Sequence, residues 1–349
     1  MPTAIHPRTD LPRGSPEGRR LTIGLPPAVR FVVRRLAAGL VTLLIASALI
    51  FAAVQVLPGD AADAVLGQQA TAERVAAVRA DLGLDKPLFQ RYVDWLGGTV
   101  TGDFGNSTAA AAQGSTVSVW SDIKTPLVNS LILAVIAAVL FIVMSLVIGS
   151  WAALRRDTAV DRLFSNTSLG VGAVPEFVIA TLLIALFFST LGLLPPISQV
   201  APGATPLNEP ERLVLPVLTL VAAAGSYGIR LVRASMIDVL EHDYVSQARL
   251  NGVPEPQVVR KFVLRNALAA NIQVLANTMR NLIGGIIIVE SVFAYPGIGA
   301  KLVSAVSLRD IQEVAGISFI LAAAYIVINI AADVVVVLMV PKLRTAQLS

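Results

Sequence analysis

The chain has 349 residues, of which 55% are hydrophobic and only 14% are charged, whereas soluble domains average about 25% charged residues. The charge deficit is concentrated, because residues 125–154 contain no ionisable side chain and about 20 apolar residues are enough to cross a bilayer as a helix. These numbers, with a net charge of +4, exclude a single soluble globular domain, a disordered chain and a collagen-like chain.

Six apolar segments are predicted to be transmembrane helices. In chain order they cover approximately residues 36–56, 127–152, 164–191, 213–229, 267–293 and 314–340. Four ionisable residues lie inside these segments: Glu176, Arg280, Glu290 and Asp333. An ionised side chain at the bilayer centre costs about 2.5–3.5 kcal/mol on insertion scales. We therefore expect these side chains to face the helix bundle or a solute pathway.

The distribution of basic residues predicts the orientation of the six segments. Residues 1–35 contain seven arginines and two acidic residues, whereas residues 58–126 contain five basic and eight acidic residues. Because Lys and Arg concentrate on the cytoplasmic side of membranes, both termini are predicted to be cytoplasmic. The basic charge is thus interpreted as a topology signal and not as a nucleic-acid-binding surface.

Two regions flank or interrupt the apolar segments. A leader over residues 1–29 is rich in Pro, Gly and Arg and is predicted to be disordered, so residues 30–349 form the membrane domain. Residues 58–126 form an outer-loop subdomain in which apolar periodicity predicts amphipathic helices over 71–82 and 86–96. Gly97 and Gly98 are expected to end the second helix. This subdomain is expected to cap the bundle, to contact a soluble partner, or both.

The cytoplasmic loop over residues 238–266 carries the clearest functional pattern. Helical patterns over 238–250 and 255–268 flank Gly252, which is suited to the positive φ of a sharp turn. Pro254 and Pro256 suit the first turn of the second helix. A protruding helix–turn–helix of this kind suits docking into a groove of another protein. A basic helix that lies on anionic lipid is an equally acceptable interpretation.

This loop resembles the coupling loop of the permeases of ATP-binding-cassette (ABC) transporters, in particular the first-permease type of dipeptide, oligopeptide and nickel importers. Departures from the family pattern include Asn251 before the loop glycine and Phe262 before the run Leu264–Leu268. The resemblance extends over nearly the whole chain after the leader. The matching residues are Leu57–Asp60, Leu82–Pro87, Tyr92, Trp95, Gly102–Gly105, Ser107, Arg230, Arg233, Asp243–Val245, Ala248, Arg249, Gly252, Arg265–Leu268, Glu290, Phe293, Tyr295–Gly299, Arg309, Asp310, Asn329 and Asp333.

The resemblance implies an all-α integral membrane protein with the type I ABC-importer permease fold, in the cell membrane of a prokaryote. It implies a second homologous permease, two cytosolic ATPase subunits and an outer solute-binding protein as partners, and peptides as the expected solutes. ATP and Mg²⁺ would be bound by the ATPase subunits, and no phosphate-binding GxxxxGK[ST] motif occurs in this chain. It implies an ATPase-coupling set of Asp243, Tyr244, Ala248, Arg249, Gly252, Arg265 and Asn266.

Two further groups of residues are expected to matter for transport. Glu176, Arg280, Asn329 and Asp333 are candidate pathway or packing residues. Arg280 is hypothesised to contact either a substrate carboxylate or Glu176, with a purely structural ion pair as the alternative. The second group is expected to shape a tight outer bend at the end of the fifth segment, with gating as the lesser option. It comprises Glu290, Tyr295, Pro296, Gly297 and Gly299.

Two other classes of function remain as alternatives. A secondary transporter driven by an ion gradient would use Glu176 and Asp333 as cation sites, but it does not explain the 238–266 loop. A membrane enzyme lacks candidates for its chemistry. The chain has no cysteine, and its two histidines, His6 and His242, lie outside the apolar segments, which also excludes a histidine metal site inside the membrane.

Overall fold

A computed structural model describes residues 27–55, 71, 86–201 and 204–339. Within these ranges the backbone forms helices and no sheet, with one isolated antiparallel bridge between Asn106 and Ser118. The predicted leader lies outside the described residues except for 27–29, which are already helical. The predicted outer helix over 71–82 also lies outside them, apart from Thr71.

The described helices follow one another with short connections. A π-helical turn over Ala185–Thr190 prolongs the helix that begins at Glu176. A helical turn over Glu255–Gln257 and a π-helical segment over Val258–Leu264 precede the helix that begins at Arg265. The helices are α1 (Pro27–Gln55), α2 (Leu88–Thr101), α3 (Thr108–Ala112), α4 (Val119–Leu154), α5 (Ala159–Gly172), α6 (Glu176–Ile184), α7 (Glu211–Leu240), α8 (Asp243–Leu250), α9 (Arg265–Val292), α10 (Ile298–Ser307) and α11 (Ile311–Met339).

Four helices in the described ranges are long and apolar enough to cross a membrane: α1, α4, α7 and α11. The bent pair α5 and α6 makes a fifth crossing if it is counted as one span. The predicted fifth segment corresponds to α9, which has 28 residues but is not among these helices. The fold class is confirmed as a multi-pass helical membrane protein, and the count of six spans and the cytoplasmic termini stay predictions.

The third predicted segment is not the continuous helix that its hydropathy indicated. It is broken between Gly172 and Glu176, and the two halves are bent by 108°. Pro175 precedes Glu176 with φ −59° and ψ 147°, which is extended backbone. Because proline lacks an amide hydrogen and disfavours helical geometry in the residue before it, the helix stops there.

Four predicted boundaries on the other helices are also corrected. Helix α7 runs on to Leu240, so Arg230 and Arg233 lie within it, and the first coupling-loop helix begins at Asp243 instead of residue 238. The second does not end at residue 268 but continues into α9. Helix α2 continues through Gly97 and Gly98 and ends at Gly102, whose φ of 90° supplies the left-handed cap.

The core is centred on α7, because 56% of its most apolar window is buried, against 22% or less for α1, α4 and α11. Small residues bring α7 and α4 close together. A Cβ atom on Gly228 would lie 2.3 Å from Ser145 Oγ, and one on Gly149 would lie 2.9 Å from the carbonyl oxygen of Ile229. The two helices therefore cross at a distance that only glycine permits at these positions.

Helix α2 lies against the bundle through an aromatic cluster. Its Tyr92 and Trp95 contact Phe51 of α1, with ring centroids 5.5 and 5.8 Å apart, and Trp95 contacts Phe319 of α11 at 5.9 Å. Tyr92 OH lies 2.8 Å from Ser47 Oγ. The outer subdomain is thus joined to α1 and α11 by side-chain packing.

Candidate functional site

Helix α8, in the predicted coupling loop, has one buried and one exposed face. Val245 is fully buried and Ala248 nearly so, and both belong to the main apolar core. On the opposite face Leu250 is 83% exposed. At 3.6 residues per turn, Asp243, Gln247 and Leu250 share that exposed face. A helix whose inner face is part of the core moves with the bundle, while its outer face is available to a partner.

The turn after α8 has the geometry that the sequence predicted. Gly252 has a φ of 76°, and its N–H donates to the carbonyl of Arg249 at 2.9 Å. The N–H of Val253 donates to the carbonyl of Ala248 at 3.1 Å. Pro254 then begins the next helical turn at φ −58°. The chain reverses sharply here because a residue without Cβ tolerates the left-handed conformation.

Side-chain contacts hold the two arms of this loop together. Asn266 Nδ2 donates to Tyr244 OH at 3.0 Å and to the carbonyl of Phe262 at 2.7 Å. Arg249 donates two hydrogen bonds to Glu255, at 2.7 and 3.1 Å, which lower the pKa of the Glu255 carboxyl below its ordinary value. The predicted coupling residues Tyr244, Arg249 and Asn266 are therefore brought into one structural unit.

A depression of about 450 Å³ opens between α8 and the π-helical segment. Both apolar and polar side chains line it, which suits a side chain inserted by another protein. The residues lining the depression are Asp243, Tyr244, Gln247, Ala248, Asn251, Val253 and Phe262. Arg265, another of the predicted coupling residues, is not among them and is exposed at the start of α9.

The outer turn at the other end of α9 is built around Glu290, which is fully buried. Its carboxylate accepts hydrogen bonds from the N–H groups of Gly299 at 2.7 Å and Ala300 at 3.2 Å, and from Ser130 Oγ. Gly299 and Ala300 lie in the first turn of α10, so the carboxylate takes the place of a capping side chain.

The rest of this turn is tied to α4. Tyr295 OH donates to the carbonyl of Asn129 at 2.8 Å, and Asn129 Nδ2 donates to the carbonyl of Pro296 at 2.9 Å. A Cβ atom on Gly297 would lie 2.1 Å from Glu290 Oε1, and one on Gly299 would lie 2.7 Å from Ile287 Cα. Both glycines are required because atoms of Glu290 and Ile287 approach them closely. The chain makes a tight bend here, as expected from the sequence.

The four candidate intramembrane residues lie in different surroundings. Glu176 begins α6 at the break, and its carboxylate packs on α9, where a Cβ on Gly285 would lie 2.6 Å from Glu176 Oε2. Asp333 on α11 pairs with Arg35 on α1, and Asn329 is half-buried on α11. The side chain of Arg280 lies outside the described part of the chain, so its hypothesised contact with Glu176 stays a prediction.

Two buried aspartates were not among the candidate site residues chosen from the sequence. Asp310 accepts hydrogen bonds from Thr108 Oγ1 at 2.9 Å and from the N–H groups of Thr108 and Ala109, and Ser107 Oγ also donates to it. The N–H of Ile311 donates in return to Thr108 Oγ1 at 2.9 Å. The start of α3 and the start of α11 therefore cap each other.

The second of these aspartates, Asp161, lies on the cytoplasmic side according to the predicted topology. It is buried, and Arg233 of α7 donates to both of its carboxylate oxygens. The spacing Thr158-x-x-Asp161 before an apolar run is the sequence signal that predicts a helix cap there. Its long-range partner is not readable from the sequence, because the two residues are 72 positions apart.

Most of the chain is similar to known proteins. Residues 145–345 match the family model described as "Binding-protein-dependent transport system inner membrane component", and residues 28–121 match the model for the N-terminal part of such membrane components. The glutathione transport system permease proteins GsiC of Escherichia coli (strain K12) and Shigella dysenteriae serotype 1 are each 34% identical over 316 residues, which is 90% of this chain and 99% of theirs.

Proposed function

The chain belongs to the binding-protein-dependent inner-membrane components, which are the permeases of ABC importers of the peptide and nickel type, and from this membership we propose that it forms half of the channel of an importer for peptide-like solutes. A second permease subunit completes the channel, and two cytosolic ATPase subunits supply the energy. A solute-binding protein delivers the solute at the outer surface.

The observation that carries the coupling role is the two-faced geometry of α8. Its buried side, Val245 and Ala248, is packed in the core with α7 and α9, while Leu250 points away from the core. When the ATPase subunits approach each other, the helix docked on one of them moves with that subunit. Because its buried face is packed in the core, the transmembrane helices move with it. Rigid-body rocking of this kind opens the pathway first to one side and then to the other.

Uptake measurements in cells carrying the complete complex test this function. We expect uptake to survive a protonophore and to stop when the partner ATPase genes are deleted. The opposite result, uptake that a protonophore abolishes and ATPase deletion leaves intact, would identify an ion-driven secondary transporter that uses Glu176 and Asp333.

The solute class is proposed from the relatives and from the intramembrane charges. The GsiC proteins are named glutathione permeases, and glutathione is a small peptide with free amino and carboxylate groups. Glu176 and Arg280 are charges of opposite sign on the third and fifth predicted segments. We propose that they bind the amino and carboxylate groups of the solute during passage.

Arg280→Ala is expected to lower uptake of a dipeptide about tenfold, because a hydrogen bond to a charged group is worth about 1.5–3 kcal/mol. The control is the same dipeptide with an amidated C-terminus, whose uptake is expected to be equal in wild type and variant. Initial uptake rates of the two labelled peptides check this.

Equal losses for both peptides, together with a lower yield of the complex, would favour the structural ion pair between Arg280 and Glu176. In that case Glu176→Gln is expected to reproduce the loss of complex, since either substitution leaves the other charge unpaired in the membrane.

A further inference from the structure

The loop between α4 and α5, residues 155–158, and the first turn of α5 hold the cytoplasmic end of α7 through a buried ion pair. Arg233 Nε and Nη2 lie 2.5 and 2.7 Å from the two carboxylate oxygens of Asp161. Asp161 is almost completely buried and Arg233 is mostly buried. Two parallel hydrogen bonds between planar groups fix both distance and orientation, so the contact resists sliding and rotation of α7 against this loop.

The carboxylate of Asp161 is itself held in position. It accepts a hydrogen bond from the N–H of Asp157 at 3.0 Å and one from Ser165 Oγ at 3.3 Å, while Thr158 caps the helix. Asp157 has a φ of 64°, an unusual conformation for a residue with a side chain. Trp151 of α4 packs on Phe164 of α5, with ring centroids 5.4 Å apart. These contacts make the loop a rigid support.

A second contact lies further along α7. Arg156 of the same loop pairs with Glu241, eight residues after Arg233 in the sequence, which is about 12 Å of helix rise. Glu241 is the C-cap residue of α7 and stands two residues before Asp243, the first residue of α8. The loop and the first turn of α5 therefore each contact α7 once, and both contacts lie within the stretch that leads into the coupling helix.

We propose that Asp161, Arg233, Arg156 and Glu241 are positioning residues that transmit motion of the coupling helix α8 to α4 and α5. A force on α8 enters α7 at Glu241. With both ion pairs in place, α4 and α5 move with α7, whereas without them the end of α7 bends on its own. The role rests on the proposed function, since it presupposes that α8 docks on an ATPase.

The test measures solute molecules transported per ATP hydrolysed, in liposomes containing both permeases, the ATPases and the solute-binding protein. Asp161→Asn and Arg233→Gln are each expected to lower this ratio about tenfold, a size typical of strong coupling contributions. The double variant is expected to be no worse than either single variant, because both remove the same contact. A merely structural role would lower the yield of complex and leave the ratio of the surviving complex unchanged.

Arg212→Gln is the matched control, because it removes an ion pair with Glu209 at the opposite end of α7 and is expected to leave the ratio unchanged. A normal ratio in intact Asp161→Asn complex overturns the proposal. If that variant yields no complex, Arg156→Gln is measured instead. Both side chains of the Arg156–Glu241 pair are about half exposed, so this variant is expected to assemble. A ratio lowered about two- to threefold supports the proposal, as expected for a weaker exposed pair, and an unchanged ratio overturns it.

Transport by the wild-type complex without ATP hydrolysis would overturn the proposed function together with the positioning role. ATP-driven transport with normal ratios in all variants overturns the positioning role alone.

Discussion

Replacing Gly297 with alanine is expected to destabilise the outer turn so strongly that little folded protein is recovered. The added Cβ would lie 2.1 Å from Oε1 and 2.4 Å from Oε2 of Glu290, well inside any tolerated contact. Glu290 cannot move aside, because its carboxylate is held by two backbone N–H groups and by Ser130. Either the capping hydrogen bonds of α10 break or the turn shifts, at a cost of about 3 kcal/mol or more.

Thermal unfolding in detergent and the monodisperse fraction in size-exclusion chromatography measure this effect. Gly97→Ala is the matched control, since nothing lies within 4 Å of a Cβ at Gly97, which is inside α2. It is expected to be neutral or stabilising by up to about 1 kcal/mol, because alanine favours a helix more than glycine does.

Glu290→Ala combined with Gly297→Ala separates steric clash from backbone strain. Gly297 has a φ of −105°, which alanine adopts freely, so the clash with the carboxylate is the expected cause. Removing the carboxylate should make the double variant less damaged than the sum of the two single variants. Strictly additive losses would show that Gly297 is needed for another reason.

Leu250→Glu is expected to disconnect transport from the ATPase subunits without unfolding the permease. Leu250 is 83% exposed at the end of α8, so its replacement should change the stability of the isolated chain by no more than about 0.5 kcal/mol. Burying an unpaired carboxylate in the interface costs about 2 kcal/mol or more, so we expect an approximately 30-fold weaker association with the ATPases.

Retention of the ATPase subunits during purification, and binding of the purified subunits to the permease, measure this association. Leu193→Glu is the control, because Leu193 is 68% exposed in the loop after the π-helical turn, on the predicted outer side. The same change of charge there should leave ATPase binding intact. Normal ATPase binding by Leu250→Glu would mean that α8 does not dock through this face.

Helix α9 connects the two functional regions described above. Asn266 in its first turn contacts Tyr244 of the coupling helix, and Glu290 near its last turn holds the outer bend. A helix of 28 residues is about 42 Å long, which is enough to extend across a bilayer. The turn that contains Gly297 therefore follows the outer end of α9, and the coupling residue Asn266 lies at the other end of the same helix.

The sequence by itself predicted those features that depend on local chemistry. Long apolar stretches predicted the membrane class, and the run around Gly252 predicted the sharp turn. That run, together with the motifs matched along the rest of the chain, indicated the family. Gly252 was readable because a positive φ between two helical patterns favours glycine in any tertiary setting. The glycines at 297 and 299 were expected at a tight bend, but they are required because atoms of Glu290 and Ile287 approach them closely, which is a tertiary contact.

Only the tertiary structure decided which distant residues meet. The break before Glu176 was missed because the segment was located by its hydropathy, which is continuous across Pro175; the proline is itself a local signal for a break, but the bend of 108° is a property of the folded chain. Asp161 and Arg233 are 72 residues apart, and the exposure of Leu250 depends on Val245 facing the core. Hydropathy and helix periodicity are sums over neighbouring residues, whereas ion pairs, helix crossings and docking faces depend on how the helices pack against one another.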